Sequence, residues 1–348
     1  MEIIIGLLFV TLAGFGTGAA AWPMKIIKDI HFEQYVFFSM LLGIAIYPWS
    51  IFLINVPDPI LVIKTVGFKP LLISNLLTLA WGVANLLYMI CVLRIGAALT
   101  GAILSALGMS VGVTVPLILK GSGLFTSAPD LLSKPGILIL IALFVILIGV
   151  TLVSVAGFGR EKVLQNESGQ TRKKQASGNF RQGLLLVILA GILSCGLGLA
   201  FVYGQGPIIE AVKQQGAGEI TANFAVWALV CIGGALINVC YAMYWMTKKK
   251  TWNLLFIRKD EIIYGALIGL QFIVSIILLG RGMVLLGILG ASIGYGIQQS
   301  MQVIGNQVVG FVGGEWKGVR GKPRRTMYLA LAVILIAVII FAYSNTTV

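Results

Sequence analysis

The sequence predicts an all-α membrane protein with ten transmembrane helices, arranged as two inverted repeats of five helices. Of its 348 residues, 58% are hydrophobic and only 11% are charged, whereas a soluble domain has about 25% charged residues. Apolar stretches recur along the whole chain, and none of the 12 acidic residues lies in the middle of one. A long basic segment near the centre separates two groups of five apolar stretches.

Each predicted span follows from its length, because a helix needs about 20 apolar residues to cross the hydrocarbon core. Short turns at Arg94–Gly96 and at Arg281–Gly282 predict two tight antiparallel hairpins. The ninth stretch is longer than a bilayer needs, so we expect tilt, a kink or an extension into water. The ten expected spans are Ile3–Trp22, Gln34–Ile54, Pro70–Leu93, Ala97–Leu119, Gly136–Ala156, Gln182–Gly204, Thr221–Met246, Ile262–Leu279, Met283–Val312 and Met327–Tyr343.

The basic residues predict the orientation. The loops that follow the odd-numbered spans contain 19 of the 25 Lys and Arg residues. Short basic loops stay in the cytoplasm, so we expect both termini outside. Because this rule explains the net charge of +13, the charge does not indicate nucleic-acid binding, and the lipid bilayer is the expected partner.

The polar segment 157–181 is predicted to be a flexible, basic cytoplasmic linker, because it is rich in charge, Ser, Gln and Gly. It divides the chain into a repeat at 1–156 and a repeat at 182–348. Leu12-Ala13-Gly14 in the first repeat resembles Leu189-Ala190-Gly191 in the second. A repeat of five spans crosses the membrane an odd number of times, so the second copy must be inverted, as in many secondary transporters.

Catalytic and metal-binding patterns are absent from the sequence. There is no phosphate-binding loop and no H-E-x-x-H motif, and His31 is the one histidine. The four cysteines lie in apolar runs without a C-x-x-C pair. We therefore expect no cofactor, no metal and no enzymatic activity.

Amides and aromatic residues dominate the polar positions within the spans. In the third span, Trp81, Asn85 and Tyr88 share one helix face. Asn238 lies in the seventh span and Gln271 in the eighth. The ninth span places Tyr295, Gln299, Gln302 and Asn306 on a common face, with Gln298 on its flank.

Two interpretations of these residues compete. For a single Ser, Thr or Asn, hydrogen bonding between helices is the better one. The amide run of the ninth span favours a polar cavity instead, because four amides within nine residues exceed what packing one helix requires. Amides donate and accept hydrogen bonds as sugar hydroxyls do, and Trp and Tyr can stack on the C–H face of a sugar.

Glu33, Glu210, Glu261 and Glu315 are the carboxylates nearest to span ends, and we interpret them as solvated interface charges. If a proton is coupled to transport, Glu210 or Glu33 is the candidate carrier, provided that the fold draws it inward.

The order of several short motifs resembles the bacterial L-rhamnose–proton symporter family, a branch of the drug/metabolite transporter superfamily. The resemblance runs over most of the length. It rests on Pro23 with Lys25, Glu33, Pro48-Trp49, Trp81-Gly82 with Asn85 and Tyr88, Arg94-Ile95-Gly96, Gly233-Gly234-Ala235 with Ile237-Asn238, Leu270-Gln271-Phe272 and Glu315-Trp316.

The resemblance implies a multi-pass carrier of the bacterial inner membrane that works by alternating access around a central cavity. The expected function is secondary transport of a small polar metabolite, above all a rhamnose-like sugar, with protons as the coupling ion. The expected substrate ligands are Trp81, Asn85, Tyr88, Gln271, Tyr295, Gln298, Gln299, Gln302 and Asn306. The alternatives are an exporter or exchanger of amino acids or other metabolites, and a scaffold or sensor.

Overall fold

The computed structural model describes residues 1–20, 22, 31–95, 97–119, 130–168, 180–257, 259–287 and 290–347. These residues form helices and their connections and contain no β-strand. Gly96, the last residue of the first predicted hairpin turn, and residues 169–179 of the predicted linker lie outside them.

Fifteen α-helices are described, and two π-helical segments, Leu41–Ile46 and Gly290–Gly294, precede α3 and α14. The α-helices are α1 Glu2–Ala19, α2 Phe32–Met40, α3 Tyr47–Asn55, α4 Pro59–Val66, α5 Phe68–Ile95, α6 Ala97–Ile118, α7 Lys134–Ser168, α8 Phe180–Ser194, α9 Gly196–Gln214, α10 Glu219–Val230, α11 Ile232–Lys249, α12 Leu254–Ile257, α13 Lys259–Leu285, α14 Tyr295–Val312 and α15 Lys322–Ser344.

The structure describes seven helical segments long and apolar enough to cross a membrane, or eight if the bent pair α10 and α11 forms one span. Large apolar side chains on their outward faces are exposed, such as Phe144 at 66% and Ile339 at 65%. A soluble protein rarely exposes so much apolar surface, so these faces contact lipid and the protein is a multi-pass membrane protein. Helices α6 and α14 lie where the fourth and ninth spans are predicted, and the count of ten stays a prediction.

The predicted seventh span is broken at Cys231, where α10 and α11 meet at a bend of 57°. In a continuous helix the Gly233 N–H would donate to the Leu229 carbonyl. Here the Asn75 side chain of α5 lies between them: its Nδ2 donates to Leu229 O at 2.8 Å, and its Oδ1 accepts from Gly233 N at 2.9 Å. Thr78 donates to the neighbouring Val230 O at 2.6 Å. A broken helix survives in lipid because another helix satisfies its freed backbone groups.

Three helix boundaries differ from the sequence prediction. Arg281-Gly282 is not a turn, because α13 continues to Leu285, and the chain turns where Gly287 adopts a φ of 66°. Helix α9 continues past Gly204 to Gln214. Helix α7 continues to Ser168, so residues 157–168 of the predicted linker are helical. The division into two repeats stays a prediction.

The helix at the end of α9 has a physical cause that a hydropathy pattern does not reveal. Ile208, Ala211 and Val212 recur at helical spacing and are all buried, while Glu210 on the other face is exposed. This amphipathic turn continues the helix despite Pro207. Residues 205–214 thus pack on the protein although they lie beyond the continuous apolar stretch of the predicted sixth span.

Contacts between the helices position the polar residues. Helix α1 packs on α13 and α14, and α5 packs on α8, α9 and α11. Helices α7 and α15 lie against each other along their length, and the α2–α3 segment packs on α10, α11 and α13. Close approach depends on small residues: a Cβ atom at Gly14 would lie 2.7 Å from the Met301 Cβ, and one at Gly18 would overlap the Gln302 carbonyl.

The Asn75 side chain is predicted to hold the α10–α11 bend. Replacing Asn75 with Leu, of similar size, removes both hydrogen bonds to the break, so we expect unfolding to become easier by about 1–3 kcal/mol. Thermal or denaturant unfolding of the protein in detergent would measure the loss. Asn55→Leu is the matched control, because Asn55 is exposed and bonds only to its own helix among the described residues. Equal stability of the two variants would contradict the assignment.

Candidate functional site

Trp81 of α5 lies at the meeting point of the two predicted repeats. Its ring stacks on Phe272 of α13, with centroids 6.4 Å apart and an interplanar angle of 21°. Only 9% of Trp81 is exposed. Its other neighbour is α11, where a Cβ at Gly234 would lie 2.9 Å from the Trp81 Cε3. The stack therefore joins helices that are far apart in sequence. Phe272 was not among the predicted site residues, although it follows Gln271.

Asn85 lies one turn further along α5. Its Nδ2 donates to Asn238 Oδ1 of α11 at 3.5 Å, and Asn238 in turn donates to Gly234 O at 2.8 Å. A 3.5 Å contact is at the weak limit of a hydrogen bond, so Asn85 has capacity for a further partner. Asn85 and Tyr88 are half-buried.

Gln271 is used in helix packing. Its Nε2 donates to Gly16 O of α1 at 2.8 Å, and its Oε1 accepts from Trp22 Nε1 at 3.0 Å. Both ends of the amide thus bind the segment of α1 and the residues just after it. Gln271 therefore links α13 to α1 and Trp22, and its role as a substrate ligand stays a prediction.

The polar residues of α14 divide between two neighbours. Gln298 donates to Thr17 Oγ1 of α1 at 3.0 Å and to Gln302 Oε1 at 3.2 Å, so this pair lies against α1. Gln299 donates to the Tyr295 hydroxyl at 3.2 Å. This second pair lies towards α6 and α9, because glycines of those two helices flank the Tyr295 ring.

The Tyr295 ring is held between two glycines. A Cβ at Gly112 of α6 would lie 2.8 Å from its Cδ1, and one at Gly198 of α9 would lie 2.6 Å from its Cδ2. Gly198 follows the interruption between α8 and α9 at Cys195, and a Cβ at Gly196 would lie 3.3 Å from the Trp81 N. The segment 196–198 therefore separates Trp81 from Tyr295. The sequence offered a signal for it, the Gly-x-Gly pattern, which the predicted site did not include.

Exposure rises along both polar faces in one direction. On α5 it increases from Trp81 to the half-buried Asn85 and Tyr88. On α14, Tyr295 and Gln298 are buried, Gln299 and Gln302 are half-buried, and Asn306 is exposed. Among the described residues no hydrogen bond joins the α5 candidates to the α14 candidates. Segment 196–198, which approaches both Trp81 and Tyr295, lies between the two faces.

Glu33 is buried, with 6% of its side chain exposed, so its interpretation as a solvated charge is wrong. The Lys249 ammonium of α11 lies 3.1 Å from Glu33 Oε1 and donates to Oε2 at 3.2 Å. The next residue, Gln34, donates to Thr251 Oγ1 at 2.8 Å. A buried carboxylate requires such a partner. The Glu33–Lys249 ion pair therefore joins the start of α2 to the end of α11.

The other carboxylates near span ends lie elsewhere. Glu210 is exposed on α9, so the fold does not draw it inward. Glu315 accepts a hydrogen bond from Arg160 of α7 at 2.6 Å, and that guanidinium also lies 5.5 Å from the centre of the Trp316 ring. The Glu261 side chain lies outside the described residues.

Comparison with known proteins identifies the family. The profile of the L-rhamnose-proton symport protein (RhaT) family matches residues 1–346. The chain belongs to this family. L-rhamnose-proton symporters of Yersinia pestis (strain Pestoides F) and Yersinia pseudotuberculosis serotype O:1b are each 24% identical to it over 347 residues, covering 96% of both chains. As a member of the RhaT family the protein is a transporter and not an enzyme.

We predict that the Tyr295 ring leaves no room for a side chain at Gly112 or Gly198. Gly198→Ala and Gly112→Ala should displace the ring and reduce transport by this RhaT-family protein, because both new methyl groups would overlap ring atoms. Gly101→Ala on the same α6 helix is the control, since a Cβ there meets nothing within 4 Å. Uptake assays with equal amounts of folded protein would measure the effect. Normal uptake by Gly198→Ala would exclude a constrained ring.

Proposed function

We propose that this protein imports a neutral sugar, L-rhamnose or a close relative, together with protons by alternating access. The family match over residues 1–346 carries this proposal. The relatives named L-rhamnose-proton symporters supply the substrate and the coupling ion. The protein has the expected character of a carrier, since its intramembrane polar residues are amides and aromatics rather than catalytic groups.

We infer that the sugar binds between α5 and α14. Trp81 and Phe272 offer aromatic surface for the C–H face of a pyranose, and Asn85 and Gln299 offer amides that both donate and accept. Tyr88 and Tyr295 complete the two walls. Gln271, Gln298 and Gln302 hold α1 against α13 and α14, so we assign them to positioning rather than to direct contact. Asn306, which is exposed, lies at the entrance.

The helix contacts support an inverted repeat of five spans. The first span, α1, packs on α13 and α14, which represent spans eight and nine. The sixth span, formed by α8 and α9, is the counterpart of the first span in the second repeat. It packs on α5 and α6, which represent spans three and four. The second span contacts the eighth and the seventh contacts the third. This exchange of partners is what two swapped, equivalent halves would produce.

We further propose an orientation with both termini outside, in the cytoplasmic membrane of a bacterium. The excess of Lys and Arg in the loops after odd-numbered spans supports it. The partly exposed ends of the α5 and α14 polar faces then point towards the cytoplasm. A cysteine placed at the exposed Gly218, in the turn between α9 and α10, should react with a membrane-impermeant reagent from the outside, and labelling only from the inside would reverse this orientation.

We propose Glu33 as the proton-carrying residue and Lys249 as its counterion. Glu33 is the buried carboxylate of the described residues, and intramembrane or near-membrane carboxylates of transporters commonly carry protons. A proton on Glu33 would cancel its attraction to Lys249, and that loss would weaken the link between α2 and α11. Protonation and movement of the two helices are thereby coupled.

Uptake into proteoliposomes tests the function. With the outside more acidic than the inside, we expect L-rhamnose to accumulate, and a protonophore should abolish the accumulation. Asn85→Ala should raise the KM by about fivefold to tenfold, because one hydrogen bond to the sugar is lost. The exposed Asn253→Ala serves as the control. If no sugar moves under any gradient, or if movement requires an amino acid on the far side, sugar symport is wrong.

Glu33→Gln separates coupling from binding. We expect this variant, which keeps the size of the side chain, to lose accumulation driven by the pH gradient while it still exchanges labelled for unlabelled sugar. Lys249 is half-exposed, so water can solvate it once its partner is neutral and the fold should persist. Glu210→Gln, on the exposed face of α9, should retain both activities. Gradient-driven accumulation by Glu33→Gln would rule out this carrier.

A further inference from the structure

Of the nine buried side-chain polar atoms that lack a hydrogen-bond partner among the described residues, four lie on the neighbouring helices α5, α9 and α10. Four side chains there have such an atom: Ser74 Oγ, Gln205 Oε1, Asn223 Oδ1 and Trp227 Nε1. Ser74, Asn223 and Trp227 are at most 2% exposed. Each unsatisfied buried group costs about 1–3 kcal/mol, so their grouping calls for a function.

The four side chains lie on facing surfaces of three helices. Asn223 and Trp227 are one turn apart on α10, and Phe201 and Gln205 are one turn apart on α9. The rings of Phe201 and Trp227 stack with centroids 4.7 Å apart, which brings the two surfaces together. Ser74 of α5 lies beside Gly204, which is about one helical turn from Phe201 on α9. A Cβ at Gly204 would lie 2.8 Å from the Ser74 Oγ.

Glycine backbones cover these atoms. Asn223 Oδ1 lies against Gly280 of α13, where a Cβ would overlap it, and Ser74 Oγ lies against Gly204 of α9. Close contact with these glycines excludes water but supplies no free donor, because N–H groups inside an α-helix already bond to carbonyls of their own helix. A small separation of α13 from α10, or of α9 from α5, would uncover polar atoms that have unused hydrogen-bonding capacity.

The cluster lies at the end where α5 and α10 begin and α9 and α13 end, which is the outer end in the proposed orientation. Towards the other end, Asn85 and Tyr88 of α5 and Gln299 and Gln302 of α14 are half-buried, and Asn306 is exposed. The outer end is closed in this structure, while the polar faces at the inner end are partly accessible.

We propose that Ser74, Gln205, Asn223 and Trp227 form an outer transit site for the sugar, shut in this structure and open when the carrier faces outward. The inference rests on the proposed sugar transport. A hydroxyl, two amides and an indole N–H can pair with the hydroxyls of a neutral sugar, and the Phe201–Trp227 pair offers apolar ring surface for its C–H groups. The absence of a charged side chain in this set fits a neutral ligand.

Cysteine labelling in proteoliposomes tests the site. The parent is a variant with Cys91, Cys195, Cys231 and Cys240 replaced by Ala, whose L-rhamnose uptake is measured first. Asn223→Cys should react with a membrane-impermeant maleimide from outside about tenfold faster than Ala225→Cys, because an enclosed thiol reacts only when its surroundings open. Ala225 is equally buried and lies on the opposite face of α10. External L-rhamnose should slow the labelling of Asn223→Cys, and an unrelated amino acid should not.

A second variant covers the case in which Asn223→Cys does not fold. Trp227→Phe keeps the ring and removes the N–H, so it should raise the KM for external sugar about fivefold and leave the KM for internal sugar unchanged. If the parent transports L-rhamnose but neither protection nor a one-sided KM change is found, the outer site is overturned and sugar transport stands. Labelling without protection would indicate a water path and would also overturn it. If the unmodified protein moves no sugar, both proposals fail.

Discussion

The structure depends on one constraint: inside lipid, backbone polar groups must find partners within the protein, and a side-chain polar group without a partner is costly. The α10–α11 break illustrates it, because the Asn75 amide replaces one lost helical hydrogen bond with two, and Thr78 satisfies the adjacent carbonyl. The α13 and α14 amides follow the same rule, since Gln271 and Gln298 both bond to α1. Polar residues therefore join the helices that apolar packing alone would leave free to slide.

The same constraint separates structural residues from functional ones. Gln271 and Gln298 have partners of good geometry, whereas Asn85 reaches Asn238 only at 3.5 Å. Polar atoms that remain without partners are stable only if another state of the protein, water or a ligand satisfies them. A carrier needs such groups, because a site fully satisfied by the protein would gain nothing by binding sugar. In the proposed mechanism, incomplete pairing distinguishes Asn85 and the outer cluster from the amides that only pack helices.

Much of the fold followed from composition and hydropathy, because membrane spans are long and apolar. The shared face of Trp81 and Asn85 followed from helical spacing alone. The Asn75 contact could not be predicted, since an Asn in an apolar helix gives no sign of the broken helix it will meet. The position of Glu33 near a span end predicts a surface charge. The sequence pattern does not reveal that Lys249 forms an ion pair with it. Asn223 and Gln205 were missed for a related reason: hydropathy places the span boundaries beside them and so assigns them to the ends.

Different physical interactions join the helices at the two ends of the protein, and under the proposed function this difference suits a coupled carrier. At the Glu33 end an ion pair links α2 to α11, so its strength depends on a proton. At the Asn223 end, close contacts at Gly204 and Gly280 cover neutral polar atoms, so closure there depends on packing and on what competes for those atoms. In the proposed mechanism a proton acts on the Glu33–Lys249 ion pair and a sugar acts on the outer closure. If opening one end favours closing the other, each ligand biases the same equilibrium from its own side, and neither alone needs to supply the full free energy of the transition.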